Sequence, residues 1–345
     1  RRHRTAAGSR RQGIVCETLA MTQQPAQEPT AQAHNTGHEI ARLQQGTTWL
    51  AFLLATLSLL WWWPYSPAIA LASMAFWLLG YSVFLGLEFM LMHHVNRHDP
   101  APRARWPQLL QAWWAETKVA AQVFAWRQPF RAQAVPDQLS GTGLHGQRGV
   151  VFIHGLLCNR GFWTPWLQRL QGSRHAYAAV SLEPAFGSID GYAAHIDQAV
   201  SQVAQASGMP PLLVCHSMGG LAVRAWLKKM QGAERVYRVV TLGTPHHGTW
   251  LARFGHSPNS RQMRQGSAWL SRLNEPEPSA LQPLIGNTPW QALFTCWYSN
   301  GDNIVFPAST ATLEGADNRL VRGAAHVQMA FLPEVMDATL ALLRD

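Results

Sequence analysis

The sequence predicts an α/β fold: a mostly parallel sheet with helices on both faces, preceded by a two-helix apolar hairpin. Three observations predict it. From residue 149 onward, short apolar runs bounded by turn residues alternate with stretches of helical periodicity, and such alternation builds a parallel sheet covered on both faces. One run, residues 212–214, leads straight into Ser217, with Gly219 and Gly220 beyond it and a helical pattern after them. That is a strand, a very sharp turn and a helix, a geometry that pushes one side chain out at the top of a sheet. Upstream, residues 47–63 and 68–92 are apolar and carry a single charge, Glu88.

Length and composition set the outer bounds. A chain of 345 residues accommodates one large α/β domain plus a smaller segment. The first residue is Arg1 and the first internal candidate start is Met21; the tail at 1–46 is expected to be disordered. Formal net charge is +9, and Arg1, Arg2, Arg4, Arg10 and Arg11 supply more than half of it. No basic patch interleaves with aromatics as in single-strand binders, so no nucleic-acid partner is expected. The four cysteines, Cys16, Cys158, Cys215 and Cys296, have no paired spacing, which argues against a disulfide framework or a zinc site. No metal or organic cofactor is expected.

The stretch 47–63 reads TTWLAFLLATLSLLWWW, and 68–92 is longer still. A spanning helix needs about 20 apolar residues, and Trp61, Trp62 and Trp63 suit an interfacial belt. A tight connector, residues 64–67, makes the pair a transmembrane hairpin over 47–93, a form that satisfies every backbone group in lipid. Arg42 precedes it and Arg97, Arg103 and Arg105 follow, while the connector has no Lys or Arg; the positive-inside rule puts both ends in the cytoplasm. Glu88 reads as a functional intramembrane acid or as a residue near the span's end that reaches the headgroups. The segment 94–129 is expected to be an amphipathic linker helix. Its apolar positions Trp106, Leu109, Leu110, Trp113 and Trp114 suit a helix in the membrane interface or one packed on the following domain.

The domain at 130–345 opens with a possible strand at 130–135. A buried strand at 149–153 ends in His154-Gly155-Leu156; Gly155 lets the backbone turn sharply and frees the Leu156 N–H to face a developing oxyanion. A helix at 162–171, a strand at 176–182 and a helix at 192–206 stopped by Gly208 come next. After the Ser217 turn, the helix ends near Gly232, and a strand at 236–242 runs into Gly243-Thr244-Pro245-His246. Residues 250–290 contain no clean strand and read as a cap or lid, or as an insertion that covers the sheet edge. A strand at 293–299 precedes Asp302, and a last short strand at 319–321 precedes His326. An acid there can orient a histidine, and the histidine can serve as base for a serine that is otherwise a poor nucleophile. The order Ser217, Asp302, His326 is that of α/β hydrolases, not of the chymotrypsin or subtilisin arrangements.

From about residue 130 the chain resembles α/β-hydrolases of the bacterial lipase and esterase type. The matching pieces are VVFIHGLL, LLVCHSMGGL, VVTLGTPHHGT, SNGDNIVFP and GAAHV. With the hairpin in front, it is similar to membrane-anchored lipase-like hydrolases that are sometimes loosely labelled permeases. The resemblance implies an α/β-hydrolase fold and an ester hydrolase, with a lipid or other acyl ester as the expected substrate. With the hairpin, a bacterial inner membrane is the expected location, and the charge placement puts the hydrolase domain in the cytoplasm. It implies Ser217 as nucleophile, His326 as general base, Asp302 as orienting acid, and the N–H groups of Leu156 and Met218 as oxyanion hole. One departure is Cys215, where the family's GxSxG motif has its first glycine. Cys215 is small enough for that position, and buried cysteines behave as small hydrophobes. His246 and His247 follow a strand end and are rival bases, and His216 is expected to pack against the elbow or hydrogen-bond locally. Asp317 and Glu183 are rival acids, and His154 reads as structural. An acyltransferase with the same triad and an inert membrane scaffold are the competing functions.

Overall fold

The computed structural model describes residues 38–230, 232–275 and 290–344. The expected disordered tail at 1–46 lies mostly outside them, as does part of the expected cap at 250–290. Helix α1, His38–Trp62, and helix α2, Pro67–Val95, form the hairpin. Ser66 caps α2 by accepting from the Ile69 N–H, and Pro67 opens it, both ordinary helix-start devices. Both helices are long and apolar enough to cross a membrane, and only 11% and 6% of their apolar windows are buried within the protein. A core helix of a soluble domain would be mostly covered instead.

Helix α3, Trp106–Gln122, buries Leu109, Ala112, Glu116 and Ala120 and leaves Trp106, Leu110 and Trp114 exposed. Its buried face packs on the domain, and its exposed face carries these apolar and aromatic side chains, as a membrane interface would require. A π-type turn at Val123–Arg127 leads into α4, Gln128–Phe130. No strand forms at 130–135, contrary to expectation. The segment turns instead, because a buried arginine needs its carbonyls. Arg160 Nη1 donates to Ala132 O, Val135 O and Gln133 Oε1, and Asp137 takes Nη2 at 2.6 Å. A buried guanidinium with five donors demands such a ring of acceptors.

Six strands follow: β1 Val150–Ile153, β2 Tyr177–Val180, β3 Leu212–His216, β4 Arg238–Leu242, β5 Phe294–Ser299 and β6 Asp317–Val321. All neighbours pair in parallel, in the order β2-β1-β3-β4-β5-β6. Helices α5 (Thr164–Leu170), α6 (Ala193–Ser207) and α7 (Met218–Met230) connect the first four strands. The short helices α8 (Pro258–Gln262) and α9 (Ala268–Asn274) lie between β4 and β5. Helices α10 (His326–Met329) and α11 (Pro333–Ala341) close the chain.

Strands β1, β2 and β3 are buried along their whole length and read as apolar runs because both faces are covered, whereas the edge strand β6 is polar and mostly exposed. One face packs Val151, Ile153, Leu213 and Cys215 on α6 and α7; the other packs Phe152, Val214 and Val240 on Trp163, Trp166 and α11. Full burial of a side chain such as Phe152 contributes about 1.5–3 kcal/mol. The chain leaves β1 for β2 on one side and returns to β3 on the other, so the loops after β1 and β3 part at a switch point. In open α/β sheets the crevice at that point, outside the carboxyl ends of the strands, is where ligands bind.

Candidate active site

Ser217 stands at the carboxyl end of β3 with φ of 54°. Left-handed backbone costs a non-glycine residue about 1–2 kcal/mol, so the surroundings must hold it there. Its N–H donates to Leu242 O at 2.9 Å, and its carbonyl accepts from Thr244 Oγ1 at 2.8 Å. The turn is also too tight for side chains beside it. A Cβ on Gly219 would sit 2.5 Å from Ile153 O, and one on Gly155 would sit 2.7 Å from Ser217 Cβ. Ser217 keeps 8% of its surface exposed, so it lies at the floor of the crevice without being sealed.

Asp302 and His326 meet behind it. His326 Nδ1 donates to Asp302 Oδ2 at 2.9 Å, and Asp302 Oδ1 accepts from the N–H groups of Ile304 and Val305. A carboxylate offers only acceptors, so Nδ1 carries the hydrogen and Nε2 is left free. Burial by itself would lower the His326 pKa, but the Asp302 charge and hydrogen bond, with Glu116 further off, carry it above its ordinary value. Gly243 lines this pair with φ of 59°; a Cβ there would lie 2.9 Å from Asp302 Oδ2 and 3.1 Å from His326 Nδ1. The Ser217 N–H donates to the carbonyl of Leu242, the residue just before Gly243, which brings the serine turn next to the pair. Among the described residues no hydrogen bond joins the Ser217 hydroxyl to His326; such contacts are often long before substrate arrives.

The Leu156 N–H follows the β1 turn, and Met218 opens α7, where a helix has no internal partner for its first N–H groups. Leu157, next in line, has φ of 58° and an exposed side chain. His154 fixes this loop: Nδ1 donates to Gly155 O, and Leu182 N–H donates to Nε2. Burial pushes its pKa down to about 4, so the ring is neutral as both bonds require.

The rivals fall elsewhere. Asp317 begins β6, at the opposite end of the strand from the His326 loop, is exposed and pairs with Arg319. Glu183 accepts from the Glu39 N–H at 3.4 Å. His216 stacks on Phe162 and donates from Nε2 to His326 O; burial, then His326, hold its pKa well below the ordinary value. His246 is buried against Thr241 and Cys296 rather than lining a crevice, and His247 is exposed. Cys215 is fully buried, and burial followed by Cys296 pushes its thiol well above the ordinary value, so no thiolate forms.

Two residues at the site, Asn303 and Glu116, escaped the sequence reading, which noted a third, Glu88, without its partner. Asn303 Oδ1 accepts from His326 N–H at 3.3 Å. Glu116 is buried and accepts from the N–H groups of Val327 and Gln328 at 2.9 and 2.8 Å; burial, only partly offset by these bonds, raises its pKa to about 7. Glu88 does not reach toward headgroups: it is 9% exposed and its Oε2 accepts from Asn303 Nδ2 at 2.8 Å. A carboxylate in an apolar helix was the one available signal, since such a group needs a partner. Among the described residues no group of three or more His, Cys, Asp or Glu is arranged to hold a metal ion.

Comparison with known proteins places the chain. Aspergillus fumigatus lipase B superposes with a TM-score of 0.51 at 16% identity, over 76% of this chain and 66% of that one. The mature form of Bacillus licheniformis lipase BlEst2 gives 0.48 at 18% identity, over 57% of this chain and 92% of that one. At such identities the likeness concerns the fold. No curated protein matches by sequence. The profile described as "Alpha/beta hydrolase family" matches residues 150–341, and with more than half of its length inside that match the chain belongs to the alpha/beta hydrolase family.

Proposed function

We propose that the protein is a membrane-anchored serine ester hydrolase acting on lipid or other acyl esters. The Asp302–His326 pair beside a serine in left-handed backbone carries the reading. His326 Nε2 takes the Ser217 proton as Oγ attacks the acyl carbonyl. The carbonyl oxygen gains charge and is met by the N–H groups of Leu156 and Met218; one such donor is worth about 2.7–4 kcal/mol in barrier. His326 returns the proton to the departing alkoxide, which leaves an acyl-enzyme. Water then attacks the acyl carbon, giving its proton to His326, and the carboxylic acid leaves as Ser217 recovers its hydrogen. Asp302 holds the imidazole tautomer and stabilises the imidazolium between these steps.

Both feet of the hairpin support the anchoring. Glu39 and Gln44 in the first turns of α1 bond the domain at Ala185 N–H and Leu157 O, and Glu88 near the end of α2 bonds Asn303. These contacts support a reading with both helix ends on the domain's side of the bilayer, the side that Arg42, Arg97, Arg103 and Arg105 assign to the cytoplasm by the positive-inside rule.

The test is chemical. Purified protein is expected to take a fluorophosphonate label and to hydrolyse p-nitrophenyl esters, and Ser217→Ala to lose both. Labelling that survives in Ser217→Ala would remove the nucleophile assignment. Product analysis with an added alcohol separates hydrolysis from acyl transfer.

A further inference from the structure

Glu88 lies about 32 Å along α2 from Pro67 at 1.5 Å per residue, just past the roughly 30 Å of a hydrocarbon core. There the helix meets the catalytic loops. Phe89 and Met92 share an apolar cluster with Leu109 and Ala112 of α3 and with Phe306 and Ala325. Phe306 follows Asp302 by one turn of loop, and Ala325 immediately precedes His326. Asn303, next to Asp302, is wholly buried.

The Asn303 amide has two unlike ends. Its Nδ2 donates to Glu88 Oε2 at 2.8 Å, and its Oδ1 accepts from His326 N–H at 3.3 Å. The acceptor on Glu88 selects this orientation. With the amide reversed, an NH₂ group would face the His326 N–H, and donor would meet donor. The next two N–H groups, of Val327 and Gln328, end on Glu116 of α3. The first turn of α10, which carries the imidazole, is therefore fastened by side chains traceable to α2 and α3, not only by the sheet.

We propose that Glu88 is a positioning residue for His326, acting through the Asn303 amide, so that the apolar hairpin is a working part of the active site as well as an anchor. The proposal rests on the reading of Ser217, Asp302 and His326 as the catalytic set. A misplacement of about 1 Å in such a set costs on the order of a hundredfold in rate, so losing the link is expected to show in kcat.

The experiment uses the full chain in detergent micelles and the soluble ester p-nitrophenyl butyrate. Active sites are counted by fluorophosphonate labelling, so that misfolded molecules drop out. Glu88→Leu keeps the volume and removes the acceptor; its kcat per labelled site is expected to fall by at least about tenfold, with KM within about twofold. Glu88→Gln retains an acceptor oxygen and is expected to recover most of the loss. Asn303→Ala is expected to match Glu88→Leu, and the double variant to be no worse than either. Where Glu88→Leu does not accumulate as folded protein, Asn303→Ala is read by the same standard. Unchanged kcat per site in these variants, or an equal loss in Glu88→Gln, overturns the proposal and leaves Glu88 as packing. Failure of the catalytic set itself shows separately, as labelling retained by Ser217→Ala.

Discussion

At the scale of single residues, the site is governed by one buried pair. Asp302 cannot donate, so it selects the His326 tautomer whose free Nε2 can act as a base. Asp302→Asn brings a donor to that position, and kcat is expected to fall about 10³–10⁴-fold with KM little changed, as steady-state kinetics will report. The pH profile has a fixed sign. The proposed mechanism needs the base form of His326, whose pKa is raised above the ordinary 6.5 by Asp302 against the lowering effect of burial. Activity is therefore expected to fall as pH drops through a value above 6.5. In Asp302→Asn the raising charge is gone, so the acidic limb of the residual kcat/KM moves to lower pH. Gly243 makes a second, steric test. A methyl there meets both partners of the pair at 2.9 and 3.1 Å, and Gly243→Ala is expected to lower kcat by about a hundredfold in the same assay.

At the scale of elements, the strand–turn–helix around Ser217 works because backbone replaces side chain at each close approach. Gly219 lets α7 start against the β1 carbonyls, and the Leu242 and Thr244 bonds hold the turn from the neighbouring strand. Cys215, in place of the family's first glycine, points into the face covered by α6 and α7 and is accommodated there. Helix α3 contributes differently, by one buried carboxylate. Glu116→Ala leaves the N–H groups of Val327 and Gln328 without their acceptor. Each buried orphan costs about 1–3 kcal/mol, so the two together are expected to lower unfolding stability by about 2–6 kcal/mol, read from the denaturant midpoint.

For the whole molecule, the hairpin and the domain share contacts that are polar at the feet and apolar between them. Deleting residues 38–95 would uncover Ala104, Leu109, Ala112 and Phe306, which now pack on Phe89 and Met92. The shortened chain is expected to aggregate or to lose fluorophosphonate labelling even in detergent, which gel filtration with labelling will show. Topology has its own test. A C-terminal alkaline-phosphatase fusion is expected to be inactive and a fluorescent-protein fusion bright; the reverse would place the domain across the membrane.

The local pattern of residues determined much of this by itself. The parallel sheet was legible because buried strands such as 212–216 are short, apolar and bounded by turns, and because helices of opposite periodicity separate them. The sharp turn at Ser217 was legible from Gly219 and Gly220, and the hairpin from two long stretches with one charge. The strand expected at 130–135 does not form, because the carbonyls of Ala132 and Val135 turn toward Arg160 instead. Only the tertiary structure decided which acid meets His326, where Glu88 points, and that Asn303 and Glu116 hold the His326 turn. Those bonds join residues 23 to 215 positions apart. An apolar side chain is satisfied by any apolar neighbour, so its burial is written in the local pattern. A buried polar group needs one partner at one distance, and loops converging on the sheet edge supply that partner only after the chain has folded.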